Sequence, residues 1–283
     1  MSGAEAQIIV FDSIEMVRSR AEEFCLLVEE ALGVRQSIDD TLRQINFING
    51  DSVIVASAVA GELAAMNAFI GQTFMSGGAA IPAYQSGFSA TRNKHRGKGL
   101  WAKLLAACED ILGEMGGKWI YGYPNPVSYP LFAKKLGYTT IDMYARRLPA
   151  ILLHTLPKHV RDDTVVRPDL QQLILWKVEY DPGKYLATTS GELSSIATVK
   201  KKFGLSLLDI GAWHSDELSL RDTLAEISRS RRTAFVRIEV SENSQYFDAL
   251  KMRDKSRPLV IKEIGDGTVP SRADFFGGLA DNY

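Results

Sequence analysis

Histidine and cysteine are scarce in this chain: 283 residues include 4 His and 2 Cys. The histidines are scattered and give no metal-ligand spacing, so no metal is expected. Cys25 and Cys108 both fall in helical patterns and read as free, buried thiols of a reducing compartment. The N-terminus lacks a charged segment followed by an apolar core, so no secretory signal is expected, and the reading is a cytoplasmic protein. No apolar run approaches the roughly 18–20 residues that span a bilayer, so no membrane partner is expected. Charge of one sign is also missing. Lys and Arg total 33 against 34 Asp and Glu, for a net charge of −1. That balance argues against nucleic acid as a partner held by bulk electrostatics. What remains is an ordinary globular composition, 46% hydrophobic and 24% charged, long enough for two domains.

One stretch stands out against this background. A run of small and aromatic residues from Tyr84 to Thr91 ends in Arg92-Asn93-Lys94-His95-Arg96-Gly97-Lys98-Gly99, and an amphipathic helix begins at Leu100-Trp101. Strand, glycine turn and helix form an anion cradle. Glycine lets backbone approach a ligand closely, and the free N–H groups of a helix start attract phosphate. Arg96 and Lys98 add positive charge at the same place. The stretch reads as a pyrophosphate site, with His95 exposed in the turn.

The elements around it follow from periodicity. A strand is expected at Gln7–Phe11 and one long helix from Ile14 to Leu32, stopped by Gly33, with residues 37–47 left as a short helix or turn. Ser52 to Ala60 and Leu63 to Phe74 read as a hairpin about Gly61-Glu62, and Ala80 to Thr91 as a third strand. The glycine turn and the helix from Leu100 to Met115 follow. Then come a strand at Lys118–Tyr123, a helix at Val127–Leu136 and a strand at Tyr138–Leu148. This order predicts an α/β fold of the α+β type, with a mixed, mostly antiparallel sheet flanked by helices. The prolines and charges between Leu148 and Asp169 mark a boundary, dividing the chain into 1–150, a crossover at 151–169, and 170–283. In the second half, strands are expected at 173–180, 185–189, 194–202 and 206–213. A helix at 216–232, a strand at 233–240, a short helix at 246–252 and a last strand at 259–264 complete it. That order repeats the one from Ser52 to Leu148, without a Gly-x-Gly turn. The matching place, Gly211 to Glu217, carries two carboxylates instead.

Three pyrophosphate cradles can be compared with the turn. A Walker loop needs Gly-Lys followed by Ser or Thr, and neither Gly97-Lys98-Gly99 nor Gly117-Lys118-Trp119 complies. A dinucleotide fingerprint fits only superficially, because the turn follows hairpin strands and no acidic residue ends the next strand. The third comparison is closer. Arg96-Gly97-Lys98-Gly99-Leu100-Trp101 resembles the acetyl-coenzyme A turn of the GNAT N-acetyltransferase superfamily, Arg/Gln-x-x-Gly-x-Gly/Ala. Asn125-Pro126-Val127-Ser128-Tyr129-Pro130-Leu131-Phe132 leading to Leu136-Gly137-Tyr138 resembles the asparagine, helix and Leu-Gly-Phe that follow in that family. The resemblance covers residues 1–148. The second half is similar to the degenerate GNAT-like halves of tandem members.

The resemblance implies acetyl-coenzyme A as co-substrate and transfer of its acetyl group to an amine by direct attack on the thioester. The pantetheine arm would pair with Phe88, Ser89, Ala90 and Thr91, and the pyrophosphate would sit on Arg96, Gly97, Lys98, Gly99, Leu100 and Trp101. Asn125 and Ser128 would also face the cofactor. Family members often carry a tyrosine that protonates the leaving thiolate where this chain has Phe132, so Tyr129, one turn earlier, is the acid candidate. Trp101 stands where a small residue is usual. No carboxylate occurs in Ala80–Thr91 or Lys118–Tyr123. Glu62 and Asp142 read first as solvated surface groups, with reach to an acceptor through water as the alternative. Tyr84, Tyr121 and Tyr123 read first as core or rim aromatics, with the cleft as the alternative, and Ser86 is a polar group able to face the cleft. Trp213 and His214 either cover that cleft or close a core. The implied partner is a small amine, with an amino sugar among the options, and a homodimer is left open. Two other readings stay open: a non-catalytic coenzyme A sensor or scaffold, and a nucleotide-dependent enzyme using the turn for ADP or NAD.

Overall fold

A computed structural model describes residues 6–47, 51–158, 166–181, 183–190, 193–202, 204–215 and 220–277 of the chain. The chain begins with β1 (Gln7–Phe11), α1 (Ile14–Ser19) and α2 (Ala21–Leu32). The single helix expected from Ile14 to Leu32 is thus two. It breaks at Arg20, whose guanidinium leaves the helical line to bind Glu23 and the Gly61 carbonyl, the latter at 2.6 Å. Ser13 caps α1 and Ser37 caps α3 (Ile38–Gln44), which settles the segment left open in the sequence. β2 (Val53–Val59) and β3 (Glu62–Ser76) form the expected hairpin. Its turn residues Ala60 and Gly61 have φ of 53° and 83°, the left-handed pair that a two-residue hairpin requires.

Then follow β4 (Ala79–Thr91), α4 (Leu100–Glu114), β5 (Trp119–Gly122), α5 (Tyr129–Lys135) and β6 (Thr139–Pro149). Past a 3-10 turn at Ala150–Thr155 come β7 (Arg167–Pro168), α6 (Leu170–Tyr180), β8 (Tyr185–Ser190), β9 (Leu193–Lys202) and β10 (Leu205–Ser215). The chain continues through α7 (Leu220–Ser230), β11 (Phe235–Ser241), α8 (Tyr246–Ala249) and β12 (Asp254–Glu263). The strand expected at 173–180 is a helix. Asp169 accepts from the backbone N–H of Gln171 at 2.9 Å and of Gln172 at 3.3 Å, and the buried residues Leu170, Leu173, Trp176 and Lys177 recur at helical intervals. The start expected for α7 at Asp216, and most of the charge cluster Lys158–Asp163, lie outside the described residues.

Compactness divides the chain into two interleaved units. One holds Met1–Gln72, Pro82–Thr139 and Val260–Val269; the other holds Thr73–Ile81, Thr140–Leu259 and Pro270–Tyr283. In the first unit the strand order is β1-β2-β3-β4-β5-β12, antiparallel except where β4 and β5 run parallel. Val53, Val55, Phe69, Tyr84 and Ile120 on one face pack under Leu104, Leu105, Cys108 and Leu112 of α4 and Phe132 of α5. In the second unit the order is β6-β11-β10-β9-β8, again parallel at one place, β10–β11. Each unit therefore closes on a strand from a distant stretch of chain: β12 lies beside β5, and β6 beside β11.

The pairing of β10 with β11 stops at Ile210–Ile238, and β10 bulges between Ile210 and Ala212. A segment near the C-terminus lies against the end of β11. Val240 bridges Phe276, Ser241 N–H donates to the Phe275 carbonyl at 3.0 Å, and the Ser241 hydroxyl donates to the Ala273 carbonyl at 3.1 Å. Phe276 stacks on Trp213 at 4.7 Å, and Trp213 is 2% exposed, so Trp213 closes a core. Nδ1 of His214 faces Arg167 at 3.1 Å.

In the same segment the Asp274 carboxylate is buried on neutral donors, the Ser244 hydroxyl at 2.6 Å and the Gln245 amide at 3.0 Å. Burial pushes its pKa up to about 6, although these hydrogen bonds and the more distant Arg167 oppose the shift. The folded state then holds a proton that the unfolded chain releases near its ordinary value, so this group favours folding at low pH. That contribution is lost as pH rises through about 6. Asp274→Asn should stabilise the protein relative to wild type by roughly 2–3 kcal/mol more at pH 8 than at pH 4. Denaturant unfolding at the two pH values measures the difference, and equal effects at both would refute a buried, titrating carboxylate.

Candidate functional site

The site starts where two parallel strands part. β4 and β5 pair from Ala83–Trp119 to Ser86–Gly122, and β4 then runs on to Thr91 without β5, beside β3. A Cβ on Gly122 would sit 3.2 Å from the Ser86 carbonyl oxygen, so glycine lets the strands stay close up to the vertex. Beyond it Phe88 takes φ 49°, a costly conformation for a large side chain, and it turns β4 away from regular pairing. Ser89 is exposed, Ala90 buried and Thr91 half-buried along the open stretch.

The basic turn is held from beneath by carboxylates. Arg92, 8% exposed, donates through Nε to the Leu63 carbonyl at 2.7 Å and through a terminal nitrogen to Glu30 at 3.0 Å. Glu30 also accepts from the Asn93 N–H at 2.6 Å, chiefly for which its pKa lies below the usual carboxylate range. Glu62 pairs with Arg92 at 3.2 Å and with Lys94, and the Lys94 hydrogen bond is the main reason its pKa is lowered. Glu62 is thus neither a merely solvated surface group nor a carboxylate without partners: it is tied into the turn. Asp142 is likewise paired, with Lys255. Arg96 reaches back to the Thr91 and Ala31 carbonyls at 3.2 and 3.0 Å. His95 is half-buried, not exposed as expected, and burial with Lys98 and Lys94 nearby lowers its pKa.

Above this base Gly97 and Gly99 take φ of 74° and 72°, with open space where a Cβ would be. Gly99 is the N-cap of α4 and supplies no side-chain acceptor. Among the described residues the N–H groups of Leu100, Trp101 and Ala102 meet no acceptor, and the Lys103 N–H is the first to be bonded, to Gly99. Open donors, the positive end of a 15-residue helix, and the exposed Arg96 and Lys98 converge on one spot. The arrangement suits a polyanion whose remaining length runs along β4 towards the vertex. Leu100 itself is buried and contributes its backbone.

Trp101 does not obstruct this space. Its ring packs edge-on to Phe132 at 5.3 Å, and its indole N–H donates to Asn67 Oδ1 at 3.4 Å. Phe132 in turn meets Tyr138 edge-on at 4.9 Å. Tyr129 packs, half-buried, against the same cluster. Asn125 is an entry cap for α5: its Oδ1 accepts from the N–H of Val127 at 3.0 Å and of Ser128 at 2.9 Å, and from the Ser128 hydroxyl at 3.2 Å. These bonds delay the helix from the expected Val127 to Tyr129. Tyr84 is buried beneath α4, and Tyr121 is buried and donates to Gln72, so neither hydroxyl is an open cleft group; Tyr123 is half-buried. The structure thus gathers the turn, β4 beyond the vertex, Trp101, Phe132 and Tyr129 in one unit. It adds three groups that sequence reasoning missed: Glu30, Arg92 as a buried brace, and Asn67.

Residues 15–141 match the model of an acetyltransferase (GNAT) domain. This stretch is a GNAT acetyltransferase domain. It contains the fork, the basic turn and both glycines, and acetyl-coenzyme A is the acetyl donor of that family. A search of curated proteins gave no match. Solved structures resemble a larger part of the chain. A GCN5-related N-acetyltransferase from Anabaena variabilis aligns over 90% of this chain and 72% of its own, at 13% identity and a TM-score of 0.61. A GCN5-related N-acetyltransferase from Kribbella flavida aligns over 91% and 72%, at 12% identity and a TM-score of 0.61. Eis1 from Mycobacterium abscessus aligns over 90% and 73%, at 12% identity and a TM-score of 0.52. At such identities the likeness is one of fold. No helix among the described residues is long and apolar enough to cross a membrane.

The left-handed backbone at the cap gives a direct test. Gly99→Ala leaves room for the methyl group but imposes about 1–2 kcal/mol of backbone strain. Acetyl-coenzyme A affinity, measured by calorimetry, should fall about tenfold at unchanged far-UV circular dichroism. Unchanged affinity would show that the cap geometry is not used.

Proposed function

We propose that this chain is an acetyl-coenzyme A-dependent N-acetyltransferase acting on the amine of a small molecule, with the N-terminal GNAT domain as the catalytic part. The observation that carries the reading is the coincidence of the β4–β5 fork with a preorganised anion cradle at the end of the same strand. Gly97, Gly99 and the first N–H groups of α4 take the pyrophosphate, helped by Arg96 and Lys98. Backbone groups of Phe88 to Thr91 take the pantetheine arm. Acetyl-coenzyme A supplies an activated thioester. The chain's own contribution is to align that group at the vertex and to stabilise the thiolate that leaves.

Tyr129 is the acid in this reading, because Phe132 has no proton to give and Tyr129 lies on the same packed cluster. Asn125 and Ser128 hold the entry to α5 and so place Tyr129; the amide nitrogen of Asn125 is left to face the cofactor. With Glu62 committed to Arg92 and Lys94, the acceptor amine arrives neutral or loses its proton to water. Such a site suits amines of modest pKa, amino sugars among them, better than strongly basic polyamines.

The second unit reads as a diverged counterpart that takes no cofactor. Meander and parallel pair recur at β8 to β11, and the alignment with solved structures extends over it. The space at the end of β11 is taken by the chain itself, through Ala273 to Phe276. Calorimetry should therefore find one equivalent of coenzyme A per chain, and two equal sites would overturn this assignment.

The decisive assay is thiol release from acetyl-coenzyme A over a panel of amines. Amine-dependent release supports the enzyme; binding without release for any amine would favour a sensor. In the active enzyme Tyr129→Phe should lower kcat at least tenfold with little change in KM for acetyl-coenzyme A. An unchanged kcat would remove Tyr129 as the acid.

A further inference from the structure

Asn67 lies in the middle of β3 in an otherwise apolar run, Leu63 to Ile70, and is 0% exposed. A buried amide of this kind persists where its hydrogen-bonding capacity is met. Its partners here are unusual in their placement. The Nδ2 group donates to the Ala68 carbonyl at 2.9 Å and to the Ser86 hydroxyl at 3.2 Å. The Oδ1 atom accepts from the Ser89 hydroxyl and from the Trp101 indole N–H at 3.4 Å, with the Ser86 hydroxyl a further donor at 3.5 Å. Ser86 is the last β4 residue paired with β5, Ser89 lies on the stretch that runs on without β5, and Trp101 is in the first turn of α4. One side chain therefore ties the vertex of the fork, the open length of β4 and the start of the helix to β3.

We propose that Asn67 is a positioning residue for acetyl transfer, setting the distance between β4 and the first turn of α4 so that the cofactor's arm enters in register. This rests on the proposed coenzyme A site. From Ser86 to Thr91 an extended strand covers roughly 17 Å, comparable with an extended pantetheine arm whose pyrophosphate sits at the α4 turn. An arm anchored there brings its thioester to the vertex only if both ends of that length keep their spacing. Backbone pairing with β5 stops at Ser86, and beyond it β4 keeps only its β3 side, so side-chain bonds set the spacing of this stretch from the first turn of α4. Asn67 makes two of them, to Ser89 and to Trp101. Phe132, edge-on to Trp101, backs the ring but offers no directional bond. Asn67 does not touch the turn at Gly97–Gly99; that is held separately by Glu30, Glu62 and Arg92.

The separation of the two supports makes the inference testable with ligands that use different parts of the site. Adenosine 3′,5′-bisphosphate carries the nucleotide end without the arm, and acetyl-coenzyme A carries both. For Asn67→Leu, of nearly the same size, acetyl-coenzyme A affinity by calorimetry should fall about tenfold while adenosine 3′,5′-bisphosphate affinity stays within twofold. Ser89→Ala and Trp101→Phe each remove one donor to Oδ1; each should weaken acetyl-coenzyme A alone, about threefold. Combined with Asn67→Leu they should add no further loss. Equal weakening of both ligands, or no weakening of acetyl-coenzyme A, would overturn the positioning role. Should Asn67→Leu fail to fold, the two single-donor variants decide by the same comparison. Failure of the wild-type protein to bind either ligand would instead refute the coenzyme A site itself.

Discussion

Everything proposed for this chain depends on one local constraint: β4 is longer than its parallel partner. Pairing stops at Ser86–Gly122, yet β4 continues to Thr91. A strand open on one side has backbone groups to satisfy there and a course to maintain, even with β3 on its other side. Both needs are met from outside the β4–β5 ladder. Arg92 N–H donates to the Ala64 carbonyl at 2.9 Å, Asn67 takes Ser89, and Arg96 donates to the Thr91 carbonyl. The fork is therefore a fixed feature, open before any ligand arrives. A preorganised opening costs less on binding than one that must be made.

The electrostatics of the turn follow from the same economy. Arg92, Lys94, His95, Arg96 and Lys98 lie within a single turn and would repel one another if left alone. Glu30 and Glu62 neutralise the lower members, Arg92 and Lys94, from below. His95 is biased towards its neutral form by burial and by its cationic neighbours. The charge left pointing outward belongs to Arg96 and Lys98, which flank the open N–H groups of α4. Glu30 and Glu62 thus shape the cradle.

The sequence disclosed what depends on local rules. The glycine pair, the helix behind it, the hairpins and the Asn125–Tyr138 stretch all carried short-range signals, and each led to the right element. Its failures have physical causes. Leu170–Tyr180 reads as a strand because its apolar residues begin abruptly and Asp169 sits at the end of the crossover; as the N-cap it starts a helix instead. The break at Arg20 is made by a guanidinium that binds Gly61, far along the chain. Glu30 under Asn93 is likewise a long-range contact without a local signature. Asn67 did leave a trace, as the lone amide in an apolar strand, but its meaning lay in which strands flank it. The interleaved units were hidden for the same reason: nothing in Thr139–Pro149 or Asp254–Glu263 tells which strand each will join.

Trp101 and Phe132, the two departures from the family pattern, are one adaptation. The indole at position 101 is large, and it is accommodated because its N–H reaches Asn67 and its ring lies edge-on to Phe132. Phe132 is 5% exposed, wedged between Trp101 and Tyr138, and the Tyr138 hydroxyl already lies buried with no hydrogen-bond partner among the described residues. A second hydroxyl in that ring-lined space would add an unsatisfied polar group at a cost of about 1–3 kcal/mol. Filling the pocket with an indole therefore disfavours a tyrosine at 132. In the proposed reading the proton donor to the thiolate is therefore the neighbouring Tyr129, half-buried at the start of α5 against the same cluster.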